Sequence, residues 1–501
     1  MKASKRLQLN KGTSKNHLWL ASTLGMILIF IFLCRAPAIA QKGPKDQFVF
    51  PPLSPVEMPE VKKLALSNGL RLFLVEDHEY PTIDIRILFR TGSAFDPSDK
   101  IGLAAISGDV LRTGGTTSKT GDEIDKELEA LAAMIEISSR RSSGTMFISF
   151  LKQDIDKVLA ILADILINPA FREEKIDLAK IKQKTIISRR NDEIGQITSR
   201  EFRKLIFGKN SPYARHPEYL TLDAIKRDDV IRFYEKYFSP ENAIVAVWGD
   251  FEAEKMAEKM EDYLGRWKPA ESEISPLPEV EYEYKYTINF IDKPDVNQSN
   301  IMLGHIGGKM DNPDYPALTI MNSILSYERM FKKIRTDEGL AYSVWGTFGA
   351  GYQEAGVFSC GAQTKSESTV HAIELMFEEI KRITREKVSE KELAKAKAEY
   401  LNGYVFNFDS RAKIVSRMMI HGFYGYPLDF MERVRKEIEG VTKEDVLRVA
   451  KKYLHPDKIQ VLVVGNKERF DKPLSVLGNV SAIDITISAP KADKKPGERV
   501  S

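Results

Sequence analysis

Apolar positions along the chain recur with two different periods. Val61–Leu66 and Leu70–Glu76 flank Asn68-Gly69 and read as a tight hairpin, since that dipeptide accepts the left-handed backbone of a short turn. Thr82–Arg90 alternates about Ile83, Ile85, Ile87 and Phe89, the pattern of a strand with one buried face. Gly102–Thr116 is an apolar, helix-like run closed by Gly114-Gly115. Gly121–Met134 places Ile124, Leu128 and Leu131 on one side of a predicted helix. Thr145–Leu151 follows as a strand, Ile155–Leu166, Glu173–Ser188 and Asp228–Tyr237 as helices, and Ala243–Gly249 as a buried strand.

The same order returns further on. Leu88, Gly92 and Asp96 match Leu303, Gly307 and Asp311 at an offset of 215. Ile176, Ala179 and Lys180 resemble Leu393, Ala396 and Lys397 at 217, and Asp229-Val230, Tyr237, Pro240 and Gly249 match Asp445-Val446, Tyr453, Pro456 and Gly465 at 216. Three separated stretches with nearly one offset indicate a duplicated α+β module. The expected boundaries are 61–268 and 282–475 for the modules, with 269–281, rich in Glu, Ser and Pro, as a solvated linker. Residues 41–60 are expected as an extended arm and 476–501 as a largely disordered tail.

The 501 residues are ordinary globular material, 43% hydrophobic and 29% charged. Residues 1–40 carry Lys/Arg and no Asp/Glu, then an apolar run through Leu33 and a small-residue site at Ala38-Ile39-Ala40, the pattern of a secretory signal peptide. The alternative is an uncleaved anchor through residues 18–33, and contact with a membrane is expected only in that case. An exported, periplasmic location is the expectation. The basic balance belongs to the targeting segment, so no nucleic-acid surface is implied. After cleavage only Cys360 remains, which leaves no internal disulfide.

Ala105, Gly108 and Asp109 stand at i, i+3 and i+4, one helical face on which an inverted zinc motif, H-x-x-E-H, would place two imidazoles and a general base. The frame of Gly102-Leu103-Ala104 before and Gly114-Gly115-Thr116 after resembles that of the insulinase/pitrilysin metallopeptidase family, which includes the mitochondrial processing peptidases. The resemblance puts Ala105 and Asp109 where the histidines would be and Gly108 where the base Glu would be. Anchoring on the acidic pair Asp192-Glu193 puts Ile186 at the third ligand position. No two of the seven histidines lie within five positions of each other, so a helical two-His motif is excluded. Asp109, Asp192 and Glu193 could hold a cation weakly, but solvated carboxylates or ion pairs are the simpler reading. The degenerate motif implies a chain that binds no zinc and is inactive alone.

The second copy keeps a different signature. Met330–Ser343 starts as a helix, breaks at Gly339 and continues as a strand, with Arg335 and Tyr342 on either side of the turn. This resembles the family's Arg…Gly-Leu-Ala-Tyr motif, whose guanidinium and phenol hold a substrate carbonyl at the other module's metal. The glycine-rich loop of the family's non-catalytic subunits has no counterpart in glycine-free Asn322–Met330, so specificity for targeting presequences is not implied. The resemblance implies two homologous modules, each a mostly antiparallel sheet with helices packed on it. It implies a zinc-less subunit of a heteromeric metalloendopeptidase acting on peptides or unfolded polypeptides, with zinc in a homologous partner whose motif is intact. The alternative is a structural subunit with no part in proteolysis.

Overall fold

The computed structural model describes residues 59–274 and 276–488. The targeting segment and nearly all of the expected arm lie outside them. Six strands form the first sheet: β1 (Lys62–Ala65), β2 (Arg71–Glu76), β3 (Thr82–Phe89), β4 (Met134–Ser139), β5 (Gly144–Leu151) and β6 (Ala243–Gly249), ordered β1-β2-β6-β3-β5-β4. All neighbours are antiparallel except β2 and β6. Helices α1 (Leu103–Thr113), α2 (Gly121–Ala130), α3 (Ile155–Ile167), α4 (Glu173–Arg189), α5 (Ile194–Phe207), α6 (Arg227–Tyr237) and α7 (Ala253–Leu264) complete the module.

The second sheet repeats the plan with β7 (Thr287–Asp292), β8 (Gln298–Ile306), β9 (Ala341–Phe348), β10 (Val357–Lys365), β11 (Gln460–Gly465) and β12 (Val480–Ala482), ordered β12-β7-β11-β8-β10-β9. Here β7 pairs parallel with both β11 and β12. Both sheets are therefore mixed, because β2 in the first and β7 in the second receive a late strand of their module, β6 and β11, in parallel register. Its helices are α8 (Tyr315–Ser323), α9 (Ile324–Asp337, wound in wide i→i+5 turns), α10 (Thr369–Ile383), α11 (Glu390–Tyr404), α12 (Arg411–Tyr424), α13 (Phe430–Gly440) and α14 (Lys443–Tyr453).

Local chemistry explains several starts. Thr120 and Glu123 form a capping box on α2, Ser389 and Glu392 on α11, and Thr442 and Asp445 on α14. The predicted helix through Met134 is corrected: α2 stops at Ala130, Ala132 turns the chain in the left-handed region (φ 48°), and Met134 opens β4. The tail expected from residue 476 instead carries β12, with Ile483, Ile485 and Ile487 packed beyond it. Residues 489–501 lie outside the described residues. The stretch read as a solvated linker has no helix or strand among its described residues, yet Leu277 and Val280 pack on the apolar cluster shared by Ile194–Phe207 and the second sheet.

Each sheet is covered on both faces. The outer face carries its own module's helices, with Ile83, Ile85, Ile87 and Phe89 of β3 fully buried beneath them. The inner face is covered by a helix from the other module. On the first sheet, Ile414, Val415, Met418, Met419 and Phe423 of α12 pack on Phe73, Val75, Leu88, Ile244 and Trp248. On the second, Ile197, Phe202, Ile206 and Phe207 of α5 pack on Ile291, Leu462 and Val464. Gly422 permits the close approach of α12, since a Cβ there would lie 2.7 Å from the Phe73 ring. Burial on both faces is why β6 and β11 read as unbroken apolar runs and not as alternation.

Candidate functional site

Helix α1 lies over β4 and against α4. Its N-terminus is held by Asp96, whose carboxylate accepts from Gly102 N at 2.8 Å and Ala104 N at 2.7 Å, two of the amides a helix start leaves without partners. Burial pushes the Asp96 carboxyl up to about 7, against the pull of those amides and Arg215. The first turn is thus fixed from the preceding loop.

The face that would carry a metal motif has little to coordinate with. Ala105 is half-buried and Gly108 buried; neither has a side-chain lone pair. Gly108 looks onto β4, where a Cβ would stand 3.6 Å from Ile137 and 3.8 Å from Ser139, so the space is ordinary and the absence of a donor is not forced by crowding. Asp109 is engaged by Lys182 Nζ of α4 at 3.3 Å. Ile186, on the same helix, presents an apolar side chain that is 56% exposed. Asp192 pairs with Arg189 at 3.1 Å. The residues do not fit a zinc ion: Ala, Gly and Ile supply no ligand, and the one carboxylate already faces a cation. Among the described residues no cluster of three or more His, Cys, Asp or Glu is placed to hold a metal.

Among the described residues, His305 serves packing and His78 a surface pair. His305 is fully buried in β8; its Nδ1 donates to Ile306 O at 2.7 Å and its Nε2 accepts from His455 N at 3.3 Å. Burial pushes its imidazole down to about 4 and keeps it neutral. His78 rests at the surface against Asp250 at 2.6 Å, which raises its pKa.

Arg335 and Tyr342, in contrast, are brought together. Arg335 lies in the last turn of α9, Gly339 turns the chain in the left-handed region (φ 65°), and Tyr342 enters β9. The ladder with β10 slips between Ala341 and Ser343, so Tyr342 is the extra residue of a bulge. A bulge re-aims a side chain out of the alternation, and Tyr342 is 76% exposed. The Arg335 guanidinium stands 5.8 Å from the Tyr342 ring and 5.0 Å from Phe331, one helical turn earlier. The neighbouring carboxylate of Glu338 is taken by Lys333 at 3.0 Å, which leaves Arg335 free of it. The pair therefore offers two hydrogen-bond donors to solvent from a shared stack. Sequence reasoning missed Phe331, whose i−4 spacing from Arg335 was the available signal, and missed Lys182 and Asp96. Glycine-free Asn322–Met330 is helical, spanning the end of α8 and the start of α9.

A duplicated α+β chain with a peptidase-type frame and no ligating side chain at Ala105, Gly108 or Ile186 is a defined class. The model of the insulinase family (peptidase family M16) matches residues 71–209, and that of the M16 inactive domain matches 224–400. The chain belongs to the M16 (insulinase) peptidase family. It is 25% identical over 403 residues to an uncharacterized zinc protease of Rickettsia felis, covering 77% of this chain and 93% of that one. It is 20% identical over 414 residues to the non-peptidase homolog YmxG of Helicobacter pylori, covering 79% and 91%. Subunits of mitochondrial-processing peptidases are relatives at 21% identity. The crystal structure of a peptidase M16 inactive domain from Pseudomonas fluorescens shares the fold, with a TM-score of 0.74 at 23% identity over 83% of this chain and 99% of that one.

Proposed function

We propose that this chain is the zinc-less subunit of an exported, heteromeric metalloendopeptidase that acts on peptides or unfolded polypeptides. A homologous chain with an intact H-x-x-E-H motif carries the metal. This chain contributes Arg335 and Tyr342, which donate hydrogen bonds to a substrate carbonyl and favour the charge that builds on its oxygen. One observation supports this above the others: Ala105, Gly108 and Ile186 offer no metal ligand and Asp109 faces Lys182, while the Arg335–Tyr342 pair is assembled, exposed and free of a carboxylate. A purely structural subunit has no need to hold a guanidinium and a phenol in that arrangement. Relatives with subunit organisation and a relative named a non-peptidase homolog are consistent with the reading. Export rests on residues 1–40 alone.

The test is peptidase activity and metal analysis on the pure mature chain, alone and mixed with the sister chain. Activity is expected only in the mixture. It should fall by about 10²–10³ with Arg335→Ala, the usual cost of losing one such donor, with the assembly intact. Stoichiometric zinc and activity in the pure chain would overturn the proposal. A stable but silent mixture would assign the chain a structural role.

A further inference from the structure

The two sheets fill equivalent places from different parts of the chain. In the first, the outermost strand beside β2 is β1, joined to it by its own hairpin. In the second, the same place beside β7 is taken by β12, which arrives from the far end of the chain and runs parallel. Ile483 N extends the pairing with a bond to Phe290 O at 2.8 Å. Beyond it the chain stays alternating: Ile483, Ile485 and Ile487 are half-buried, and Asp484, Thr486 and Ser488 exposed. Ile483 and Ile485 pack on the cluster between α5 and the second sheet, and Ile487 packs on the core of the first module. Asn191, in the corner joining α4 to α5, donates to Ile485 O at 2.7 Å. Arg200 of α5 locks that corner, donating to Asn191 Oδ1 at 2.8 Å and Arg190 O at 2.7 Å.

We propose that residues 480–488 are a strap that clamps the second module's sheet to the α4–α5 corner of the first, and that the modules turn against each other only when it is released. Nine residues reach both module cores and the end of the helix that carries Lys182 and Ile186. The strap is built to release. Its side chains are half-buried at the three isoleucines and exposed elsewhere, and an open cavity of about 500 Å³, lined in part by Lys204, Lys209, Lys285 and Asp484, lies between it, α5 and β7. A segment with few buried apolar contacts opens before the cores do.

Hydrogen exchange read by mass spectrometry tests this on the full mature chain, on one ending at Gly478 and on Asn191→Asp. In the truncated chain, exchange should accelerate at least ~10-fold over residues 185–200, with β3 and β5 unchanged. Small-angle scattering should broaden its distance distribution. Asn191→Asp takes away the donor to Ile485 O and keeps an acceptor for Arg200, so it decides the matter if the truncated chain does not fold; about 5-fold acceleration at the same corner is expected. Acceleration confined to β7 and the strap, with an unchanged scattering profile, would overturn the proposal and make β12 a passive edge cover.

Discussion

In the first module, the helix after β3 carries Ala105, Gly108 facing β4, and Asp109, which is engaged by Lys182 of the neighbouring helix. In the second, the helical stretch at the matching place ends in Arg335 and hands it to Tyr342 across a glycine turn. The surrounding frame is the same in both: six strands in equivalent order, a core-facing helix, capping boxes and a partner helix across the inner face. Chemistry and frame are therefore separable in this fold. The frame is set by buried alternation and caps, while the reactive positions sit on half-open faces where substitution costs little.

The comparison can be broken most severely at the exchanged helices. Phe423→Ala on α12 and Phe202→Ala on α5 each empty a buried site facing the other module. Each should cost about 3–5 kcal/mol in chemical denaturation, and both should lower the stability of the whole body. A local effect in only one module would show that the exchange does not couple them.

Acid titration should separate the modules next. In the second, Asp314 before α8 is held by Lys452, Arg448 and Tyr453, and its carboxyl is drawn down to about 2 despite burial. A depressed carboxyl stabilises the fold above its unfolded pKa and loses that contribution as pH falls. Asp314→Asn should thus cost about 2 kcal/mol at neutral pH and almost nothing near pH 2. Asp96 in the first module has the opposite sign. Its raised pKa of about 7 gives stability that is full below about pH 4 and is lost as pH rises through 7. Asp96→Asn should remove that slope, on the order of 1 kcal/mol per pH unit between 4 and 7. Parallel pH profiles for the two variants would contradict this assignment.

Smaller effects sharpen the reading of the Arg335 turn. Gly339→Ala forces a side chain into the left-handed region, and a loss of about 1 kcal/mol is expected in thermal melts. Tyr342→Phe removes a hydroxyl from an exposed ring; its stability should stay within about 0.5 kcal/mol of the parent. A larger change would make the tyrosine a packing residue and weaken the functional proposal.

The duplication, the α+β class and most elements of the first module were legible because buried alternation and capping residues are local signals. The exchanged helices Ile194–Phe207 and Arg411–Tyr424 were not picked out, since their apolar faces answer to a sheet more than two hundred residues distant in some contacts. Strand β4 went unread, with its first residue Met134 assigned to the preceding helix, because Ala132, not a glycine, makes the turn. The strap was hidden by the Pro- and Lys-rich residues that follow it, although Ile483, Ile485 and Ile487 alternate plainly. At the candidate site, that Ala105, Gly108 and Ile186 carry no ligating side chain follows from their residue types alone. The stack of Phe331, Arg335 and Tyr342 was not legible, because it depends on a bulge that spacing does not reveal.

The crossed helices also impose an order on synthesis. When β6 ends at Gly249 the first sheet is complete, but the helix that covers its inner face does not begin until Arg411. At the usual ~5–20 residues per second, Phe73, Val75 and Trp248 wait roughly 10–30 s for their cover. During that interval the nascent chain carries an uncovered apolar sheet, the kind of surface that chaperones hold. Separating the modules at the linker would make that transient exposure permanent.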